Sequence, residues 1–251
     1  MRWVVQQNIF RPQNLQLLVL ALEAQHVPYT LVTIPRGTTS LEPDVSSDED
    51  VYVCGAMKMK TIADAKGWKP GSFLNDNFAF DVWQQHLSDE LLSGGAVVGR
   101  ASAFDTAGMD RFFIRPLVDN KAFDGVVIDD EEFQSWLERP PVDGFADMDV
   151  VIAPARAIYR EYRLFYVDKT YVTGSLYKVA GHPQASPEVE PDVVDYADSV
   201  RDRWTPADSF VVDVCLSDDG YKVVEFNNIN SSGFYACDVG KYVAAIQRAY
   251  G

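Results

Sequence analysis

Two short runs of β-branched and aromatic residues near the end of the chain predict a β-hairpin. The runs are residues 210–216 and 221–227, and a Ser-Asp-Asp-Gly turn signal separates them. A three-residue loop, 218–220, closed by a glycine in the left-handed region, fits this spacing. In that register Asp213 lies directly opposite Glu225, and opposed residues point to the same face of a sheet.

Asn227 follows Glu225 by two positions, so a third polar side chain shares this face. Opposed carboxylates destabilise a sheet, and a hard cation such as Mg²⁺, which takes oxygen ligands, would remove that conflict. The alternative is a solvated acidic face without a metal, and a register shift of one residue would separate the carboxylates. The opposite face is expected in the core and carries Val212, Val214, Val224 and Phe226.

Strand and helix signals alternate over the N-terminal part of the chain. Apolar residues at i, i+3, i+4 and i+7 predict a helix that opens at Pro12. The resulting β-α-β pattern predicts a small open α/β lobe. Residues 70–105 contain no element that we can assign. The predicted strands are 3–5, 29–34 and 50–54, and the predicted helices are 12–26 and 59–66.

Strand signals dominate from residue 111 onward. This change predicts an N-terminal lobe over residues 1–105 and a second part over residues 106–251. The proline-containing segment 181–191 predicts a surface loop. The other predicted strands are 111–116, 126–128, 150–153, 158–167 and 171–176, and the other predicted helices are 130–137, 187–204 and 238–250.

Composition narrows the class of protein. The 251 residues are 47% hydrophobic and 24% charged, which is typical of a globular chain. A net charge of −15 disfavours binding to phosphate backbones, so we expect no nucleic-acid partner. The three cysteines are widely spaced and fit no metal-binding pattern. Without a signal-peptide or membrane-spanning run, the sequence predicts a cytoplasmic protein with no membrane partner.

A basic segment lies where the later strand signals begin. Arg115 follows three apolar residues in a predicted strand, and Lys121 lies in the loop that ends at Gly125. A guanidinium on a strand and a mobile ammonium in a loop can both neutralise phosphate charge. The alternative is that both residues are surface charges.

A further charged pair lies in the predicted strand 158–167. Strand alternation puts Glu161 and Arg163 on one face, together with Tyr159 and Phe165. On a wet sheet face such a pair contributes little to stability. The residues alone leave open whether this is a surface pair or part of a site.

A small polar turn follows the hairpin. The sequence Asn-Ile-Asn-Ser-Ser-Gly over residues 228–233 leaves backbone N–H groups available for anions. We therefore expect Ser231, Ser232 and Gly233 to offer N–H groups or hydroxyls to substrate oxygens.

Asp213, the Glu-x-Asn triplet of Glu225 and Asn227, and the basic segment together resemble the ATP-grasp superfamily. The resemblance covers residues 100–235 with recognisable motifs. Most members have Lys where this chain has Arg115, and the Phe-Ile-Arg-Pro…Lys-x-Phe-x-Gly arrangement is similar to that of a smaller clade seen in bacteria and phages. The resemblance implies a mixed α+β and α/β fold, with two α+β lobes that grip ATP after a small N-terminal α/β lobe. It also implies that the two carboxylates and the amide hold Mg²⁺.

The resemblance assigns roles to the basic residues as well. Arg115, Lys121 and Arg163 would be catalytic, and they would also bind the cofactor by neutralising phosphate and acyl phosphate. Glu161, next to Arg163 on the same strand face, would be a further cofactor-binding residue. The Ser-Ser-Gly turn would face the acyl or acceptor substrate.

The segment 150–153 resembles the hinge that holds adenine in this superfamily. The backbone of Val151, Ile152 and Ala153 would bind the adenine edge. Many members carry a second lysine just before the hinge, whereas this strand opens with Phe-Ala-Asp-Met-Asp. Either Lys121 takes over that phosphate contact or the triphosphate lies differently.

The resemblance implies an ATP- and Mg²⁺-dependent ligase. Such an enzyme activates a carboxylate as an acyl phosphate, which an amine, or less often a thiol, then attacks. Small molecules or peptides would supply the carboxylate and the amine. The alternatives are a non-catalytic protein that keeps the fold and binds a nucleotide or a partner, and a metal-dependent hydrolase that turns over without ATP.

Overall fold

The computed structural model describes residues 1–46, 50–117 and 122–251. The chain forms two compact units. The first combines Met1–Phe78 with Ile158–Gly251, and the second is Ala79–Ala157. Neither end of the second unit falls at the predicted boundary near residue 105, and the division into an N-terminal lobe and ATP-gripping lobes remains a prediction.

The N-terminal part of the first unit is a parallel sheet with two helices, as the β-α-β pattern predicts. The strand order is β2-β1-β3-β4, and helices connect neighbouring parallel strands, as a parallel pairing requires. All four residues of β3 are buried, as expected for a strand covered on both faces. The elements are β1 Arg2–Gln6, α1 Pro12–Ala24, β2 Tyr29–Val32, β3 Val51–Cys54, α2 Lys58–Lys66 and β4 Pro70–Gly71.

The second unit is a four-stranded antiparallel sheet with two helices. Its elements are α3 Phe80–Leu87, β5 Val97–Arg100, β6 Phe112–Pro116, β7 Val126–Ile128, α4 Asp130–Glu138 and β8 Asp149–Pro154. The strand order is β5-β8-β6-β7. Helix α4 begins after Asp129, whose side chain accepts a 2.9 Å hydrogen bond from the backbone N–H of Glu132. Helix α3 and strand β5 fall in the segment that the sequence left unassigned.

The C-terminal part of the first unit is a five-stranded antiparallel sheet in the order β11-β10-β9-β12-β13. Its elements are β9 Ile158–Val167, β10 Thr170–Val179, β11 His182–Ser186, α5 Pro191–Arg203, β12 Phe210–Ser217, β13 Gly220–Asn227 and α6 Val239–Tyr250. The prediction of a surface loop over 181–191 is therefore wrong for residues 182–186, which form the edge strand β11. A proline in that strand is compatible with an edge position.

One face of this sheet changes abruptly from apolar to charged, and this change positions the site. Phe165 on β9 and Val211 on β12 are neighbours and belong to a core shared with α6, α1 and the N-terminal sheet. Two residues along each strand, on the same face, the neighbours are Arg163 and Asp213. The core therefore ends at this row, and charged side chains begin.

The hairpin of β12 and β13 confirms the opposition of Asp213 and Glu225 but reaches it by a different path. Gly220 has φ +86°, as predicted for the turn, yet it pairs directly with Ser217, so the loop has two residues. A bulge between Asp213 and its neighbour then restores the register by inserting Val224 as an extra residue. The bulge also corrects the predicted core, because Val223 is fully buried and Val224 is half-buried.

Candidate functional site

Three side chains from three adjacent strands form the centre of the site. Arg163 on β9, Asp213 on β12 and Glu225 on β13 are direct neighbours across the sheet. Arg163 donates two hydrogen bonds to Asp213, from Nε to Oδ1 at 2.8 Å and from Nη2 to Oδ2 at 2.7 Å. Nη2 also lies 3.7 Å from Glu225 Oε1. This fork-like contact holds the guanidinium plane in one orientation.

Burial sets the electrostatics of the Arg163–Asp213 pair. Asp213 is 1% exposed, and burial raises the pKa of its carboxyl to about 6, while the Arg163 guanidinium opposes that rise. The paired guanidinium therefore favours the ionised form of the buried carboxyl. Burial disfavours the charged form of Arg163, but the adjacent Asp213 carboxylate outweighs this and holds the Arg163 pKa above its ordinary value.

The donor set at the end of this row fits a hard divalent cation. The Glu225 side chain is 42% exposed, and Asn227 Nδ2 donates to Glu225 Oε1 at 2.9 Å, which leaves the amide carbonyl oxygen as a possible ligand. Carboxylate and amide oxygens are the ligands that Mg²⁺ takes. Among the residues that the structure describes, no three His, Cys, Asp or Glu side chains group as a metal site. A cation here would depend on Asp213, Glu225 and the amide.

A second layer of polar groups surrounds the pair. Glu161 is buried and accepts a 2.9 Å hydrogen bond from Tyr177 Oη. It also forms an ion pair with Lys178, with Nζ 2.9 Å from Oε1. Tyr177 Oη also lies 3.4 Å from Asp213 Oδ2. Burial raises the Tyr177 pKa further above its ordinary value, and the carboxylates of Asp213 and Glu161 add to this, so the phenol stays a hydrogen-bond donor. We call Glu161, Arg163, Lys178, Asp213 and Glu225 the charged cluster.

A β-bulge explains why two consecutive residues of β10 reach the same carboxylate. Lys178 pairs with Glu161 and Leu176 pairs with Tyr162, so Tyr177 is the extra residue between them. A bulge re-aims side chains that would otherwise alternate between faces. Neither Tyr177 nor Lys178 was predicted as a site residue, since the predicted strand ended before them. The run of strand residues through position 179 was the signal that could have extended it.

The loop after β13 lies against this face of the sheet. Gly233 O accepts a 3.4 Å hydrogen bond from Arg163 Nη1, which brings one of the three predicted substrate residues to the cluster. The hydroxyls of Ser231 and Ser232 donate to the carbonyl oxygen of Asn228, at 3.3 and 2.9 Å, and so stabilise the turn itself. The Ser231 N–H also donates to Asn228 O, at 3.1 Å, so the backbone of the turn takes part in the same bonding. A substrate contact for the Ser-Ser-Gly turn remains a prediction.

Tyr235 lies against the charged cluster and was not predicted from the sequence. Its ring stacks on Tyr177 with centroids 4.6 Å apart and planes 8° apart. The Arg163 guanidinium carbon lies 5.0 Å from the Tyr235 centroid and 5.9 Å from that of Tyr177. Two aromatic rings therefore face the same cation.

Comparison with known proteins decides the family. A profile described as an ATP-grasp domain, R2K clade family 3, matches residues 41–246. The chain belongs to this ATP-grasp family. No curated protein matches the sequence.

Solved structures share the ATP-grasp fold along almost the whole chain. A RimK domain ATP-grasp protein from Sphaerobacter thermophilus is 15% identical, with 97% of this chain and 98% of that chain covered and a TM-score of 0.69. The ATP-grasp ligase PsnB, complexed with a minimal precursor, Mg and ADP, is 14% identical, with 99% and 98% covered and a TM-score of 0.62. D-alanine–D-alanine ligase from Bacillus anthracis, complexed with ATP, is 13% identical, with 91% and 85% covered and a TM-score of 0.61.

Those predicted ATP-grasp residues of the second unit that the structure describes lie on two adjacent strands. Arg115 on β6 pairs with Val151 on β8, and its guanidinium carbon lies 4.7 Å from the Phe80 ring centroid. This contact orients a half-buried, planar cation within the unit. Lys121 lies outside the described residues. The phosphate roles of both basic residues remain predictions.

The predicted adenine hinge of this ATP-grasp chain is partly an internal strand. Val151 and Ile152 each have a strand neighbour on both sides, whereas Ala153 pairs only with Phe113. Backbone groups in a ladder already have partners, so the groups best placed to bind an adenine edge begin at Ala153. The residues that follow β8, 155–157, form the chain link to β9. Within the described ranges, no helix of this protein is both long and apolar enough to cross a membrane.

Proposed function

We propose that this ATP-grasp protein is an ATP- and Mg²⁺-dependent ligase that joins a carboxylate to an amine through an acyl phosphate. The observation that carries the proposal is the row of Arg163, Asp213 and Glu225, with Asn227 bonded to Glu225. In this proposal the two carboxylates of the row are oxygen ligands for a cation, and the adjacent guanidinium faces phosphate. Family membership adds the expectation that ATP is the phosphate donor.

The charge balance of the cluster supports a divalent cation as partner. Three carboxylates face two cationic side chains, Arg163 and Lys178, within hydrogen-bonding or ion-pair distance. One negative charge remains, and a divalent cation would convert it into a positive charge that attracts a nucleotide. Asp213, Glu225 and Asn227 would hold Mg²⁺, which when bound would neutralise charge on the transferring phosphoryl group.

The reaction balances with groups that the chain and its substrates supply. A carboxylate oxygen attacks the γ-phosphorus of ATP, the bond to the β-γ bridging oxygen breaks, and ADP leaves. The amine then attacks the acyl carbon, inorganic phosphate leaves, and the amine proton passes to water. In this proposal Arg163 faces the developing negative charge, and Lys178, paired with Glu161, is the second cation of the cluster.

The remaining predicted roles belong to the same proposal. Arg115 and Lys121 would contact the phosphates, Glu161 would orient Lys178 and Tyr177, and the backbone at the end of β8 would bind adenine. The Gly233 turn would face the acyl or acceptor group. Thiol acceptors fit the same chemistry with sulfur in place of nitrogen.

The similar solved proteins suggest a range of substrates. PsnB is described with a precursor peptide, and other neighbours are a D-alanine–D-alanine ligase and a D-cycloserine synthetase. We therefore propose a small-molecule or peptide carboxylate and an amine as the substrates of this chain. The intact row argues against the non-catalytic alternative, because loss of function would first remove selection on its carboxylates.

A trapping assay tests the proposal. The protein is incubated with Mg²⁺-ATP, hydroxylamine and pools of amino acids or short peptides, and ADP and hydroxamates are measured. Hydroxylamine converts any acyl phosphate into a hydroxamate, so the natural amine need not be known. The Glu225→Gln variant is the control, and it should release no ADP above background.

Each rival class gives a different result in the same assay. Binding of Mg²⁺-ATP without ADP release in any pool favours the non-catalytic protein. Phosphate or other product release in the absence of ATP favours the hydrolase. ADP release that does not require an added carboxylate would contradict the ligase.

A further inference from the structure

We propose that Tyr235 is a positioning residue that holds Arg163 against Asp213 and keeps water from its exposed side. The proposal concerns the residue that sets the geometry of the phosphate-binding cation, and its consequence for nucleotide affinity rests on the function proposed above. The geometric part of the proposal does not depend on that function.

The first observation is the arrangement of rings around the cation. Tyr235 and Tyr177 stack almost parallel, and the Arg163 guanidinium carbon lies 5.0 and 5.9 Å from their centroids. On its other side Arg163 makes the two bonds to Asp213. The guanidinium is therefore held by a carboxylate along its Nε–Nη2 edge and by a nearby aromatic surface, and both contacts restrain its plane.

The second observation is the backbone of Tyr235. It has φ +48°, a left-handed conformation that is uncommon for a bulky residue, in a turn closed by a 2.8 Å hydrogen bond from the Cys237 N–H to Phe234 O. The ring is 45% exposed, so this strain is not offset by burial in the core. Strained residues of this kind persist where the surrounding structure imposes them, and they cluster at functional sites.

The third observation is that the loop is anchored on both sides of the tyrosine. Phe234 is 1% exposed and stacks on Phe165 in the core, with centroids 5.9 Å apart. On the other side the Ala236 N–H donates to Ser175 Oγ at 3.2 Å. These anchors fix the backbone on both sides of Tyr235 and so hold its ring against Arg163.

The Tyr235 ring matters because it lies beside the buried side chain of Arg163. The Arg163 side chain is 11% exposed. Removing the ring would open that side of the guanidinium to water and to competing rotamers. A cation–π contact at a partly exposed site changes an equilibrium by a factor of about 2 to 30, which is large enough to measure.

The experiment compares Tyr235→Gly with Tyr235→Phe. Glycine removes the ring and relieves the strained backbone, so the fold should be retained, whereas phenylalanine keeps the ring without its hydroxyl. His26→Gly is the matched control, because His26 also has a left-handed backbone, φ 53°, in the turn after α1. Two properties are measured in all four proteins: the rate at which phenylglyoxal modifies Arg163, followed by peptide mass spectrometry, and the Kd for Mg²⁺-ATP by calorimetry.

The expected result is specific to the ring. Tyr235→Gly should raise the Arg163 modification rate about fivefold and weaken Mg²⁺-ATP binding about fivefold to tenfold. Tyr235→Phe and His26→Gly should stay within about twofold of the wild type in both measurements. An unchanged modification rate in Tyr235→Gly overturns the proposal, and so does failure of phenylalanine to restore the wild-type rate.

The two measurements also separate this proposal from the proposed function. If the wild-type protein does not bind Mg²⁺-ATP, the ATP-dependent function is wrong, and the modification rate alone decides whether Tyr235 positions Arg163. If the wild type binds Mg²⁺-ATP and Tyr235→Gly binds it equally well, the function stands and the proposed consequence of Tyr235 for nucleotide affinity is wrong.

Discussion

Arg163 and Asp213 are 50 residues apart in the chain and form a bidentate ion pair across two adjacent strands, with both side chains almost fully buried. One partner is the predicted phosphate-binding arginine and the other is a predicted magnesium ligand. The pair links the two halves of the predicted chemistry, and it also makes each residue part of the structural core. Changes at either position will therefore affect stability as well as function.

Asp213→Asn should destabilise the fold far more than Glu225→Gln. The first change leaves Arg163 buried without its compensating charge, which typically costs about 3–5 kcal/mol. Glu225 is 42% exposed, and only a 3.7 Å contact links it to Arg163. The Glu225→Gln change should therefore alter the free energy of unfolding by less than about 1 kcal/mol. Urea denaturation monitored by circular dichroism measures both values. Equal stabilities would mean that the Arg163–Asp213 pair does not form in solution.

A double replacement serves as the control for this prediction. Arg163→Met with Asp213→Leu removes both charges and substitutes apolar groups, so it should recover most of the stability that Asp213→Asn loses. It should nevertheless bind no Mg²⁺-ATP. Recovery of nucleotide binding together with stability would remove both residues from the proposed site.

Mg²⁺-ATP should raise the thermal stability of the wild type. Ligand at one hundred times its Kd adds about 2.7 kcal/mol to the free energy of unfolding. Differential scanning fluorimetry with and without EDTA measures this, and EDTA should remove most of the shift because the carboxylate row requires the cation. The same shift in Glu225→Gln would contradict the metal assignment.

The predictable part of the fold was the part encoded by local periodicity. Most helices and strands were foreseen, but α3 was missed although Phe80, Trp83 and Leu87 are buried at helical spacing. The short edge strand β5 was also missed. Its first residue, Val97, is 60% exposed, so no alternation of buried and exposed positions marks it. Such strands depend on their neighbour, here β8, rather than on their own sequence.

The predictable part of the site was likewise the part that depends on local sequence. The opposition of Asp213 and Glu225 followed from a hairpin read within one segment. The bond from Arg163 to Asp213 required the order of strands in the sheet, which local pattern does not specify. The positions of Tyr177 and Lys178 depend on a bulge that shifts the register by one residue. Residue propensities do not predict such a shift.

Asn230→Ala should destabilise the first unit by about 2–4 kcal/mol, because it leaves several buried backbone groups unpaired. Its Nδ2 donates to Val53 O at 2.7 Å and to Gly71 O at 3.3 Å. Its Oδ1 accepts from Phe73 N at 2.8 Å and from Ser72 Oγ at 3.3 Å. One amide thus fastens the loop after β13 to strands β3 and β4. Chemical denaturation tests this, with Asn230→Asp as a companion that should also fail because a carboxylate cannot donate to the two carbonyls.

Arg115→Lys should weaken ATP binding about tenfold while it leaves adenosine binding within about twofold, because a planar guanidinium and a point charge are not interchangeable at phosphate. The Arg115 guanidinium carbon lies 4.7 Å from the Phe80 ring centroid, and an ammonium in its place would lose the planar fork. Arg100→Lys in the same unit is the matched control, since Arg100 is exposed and pairs with Asp147 only at 3.6 Å. Calorimetry with ATP and with adenosine measures the six affinities of the wild type and the two variants. Equal losses for both ligands in Arg115→Lys would mean that the residue acts through the fold, and its phosphate role would then be wrong.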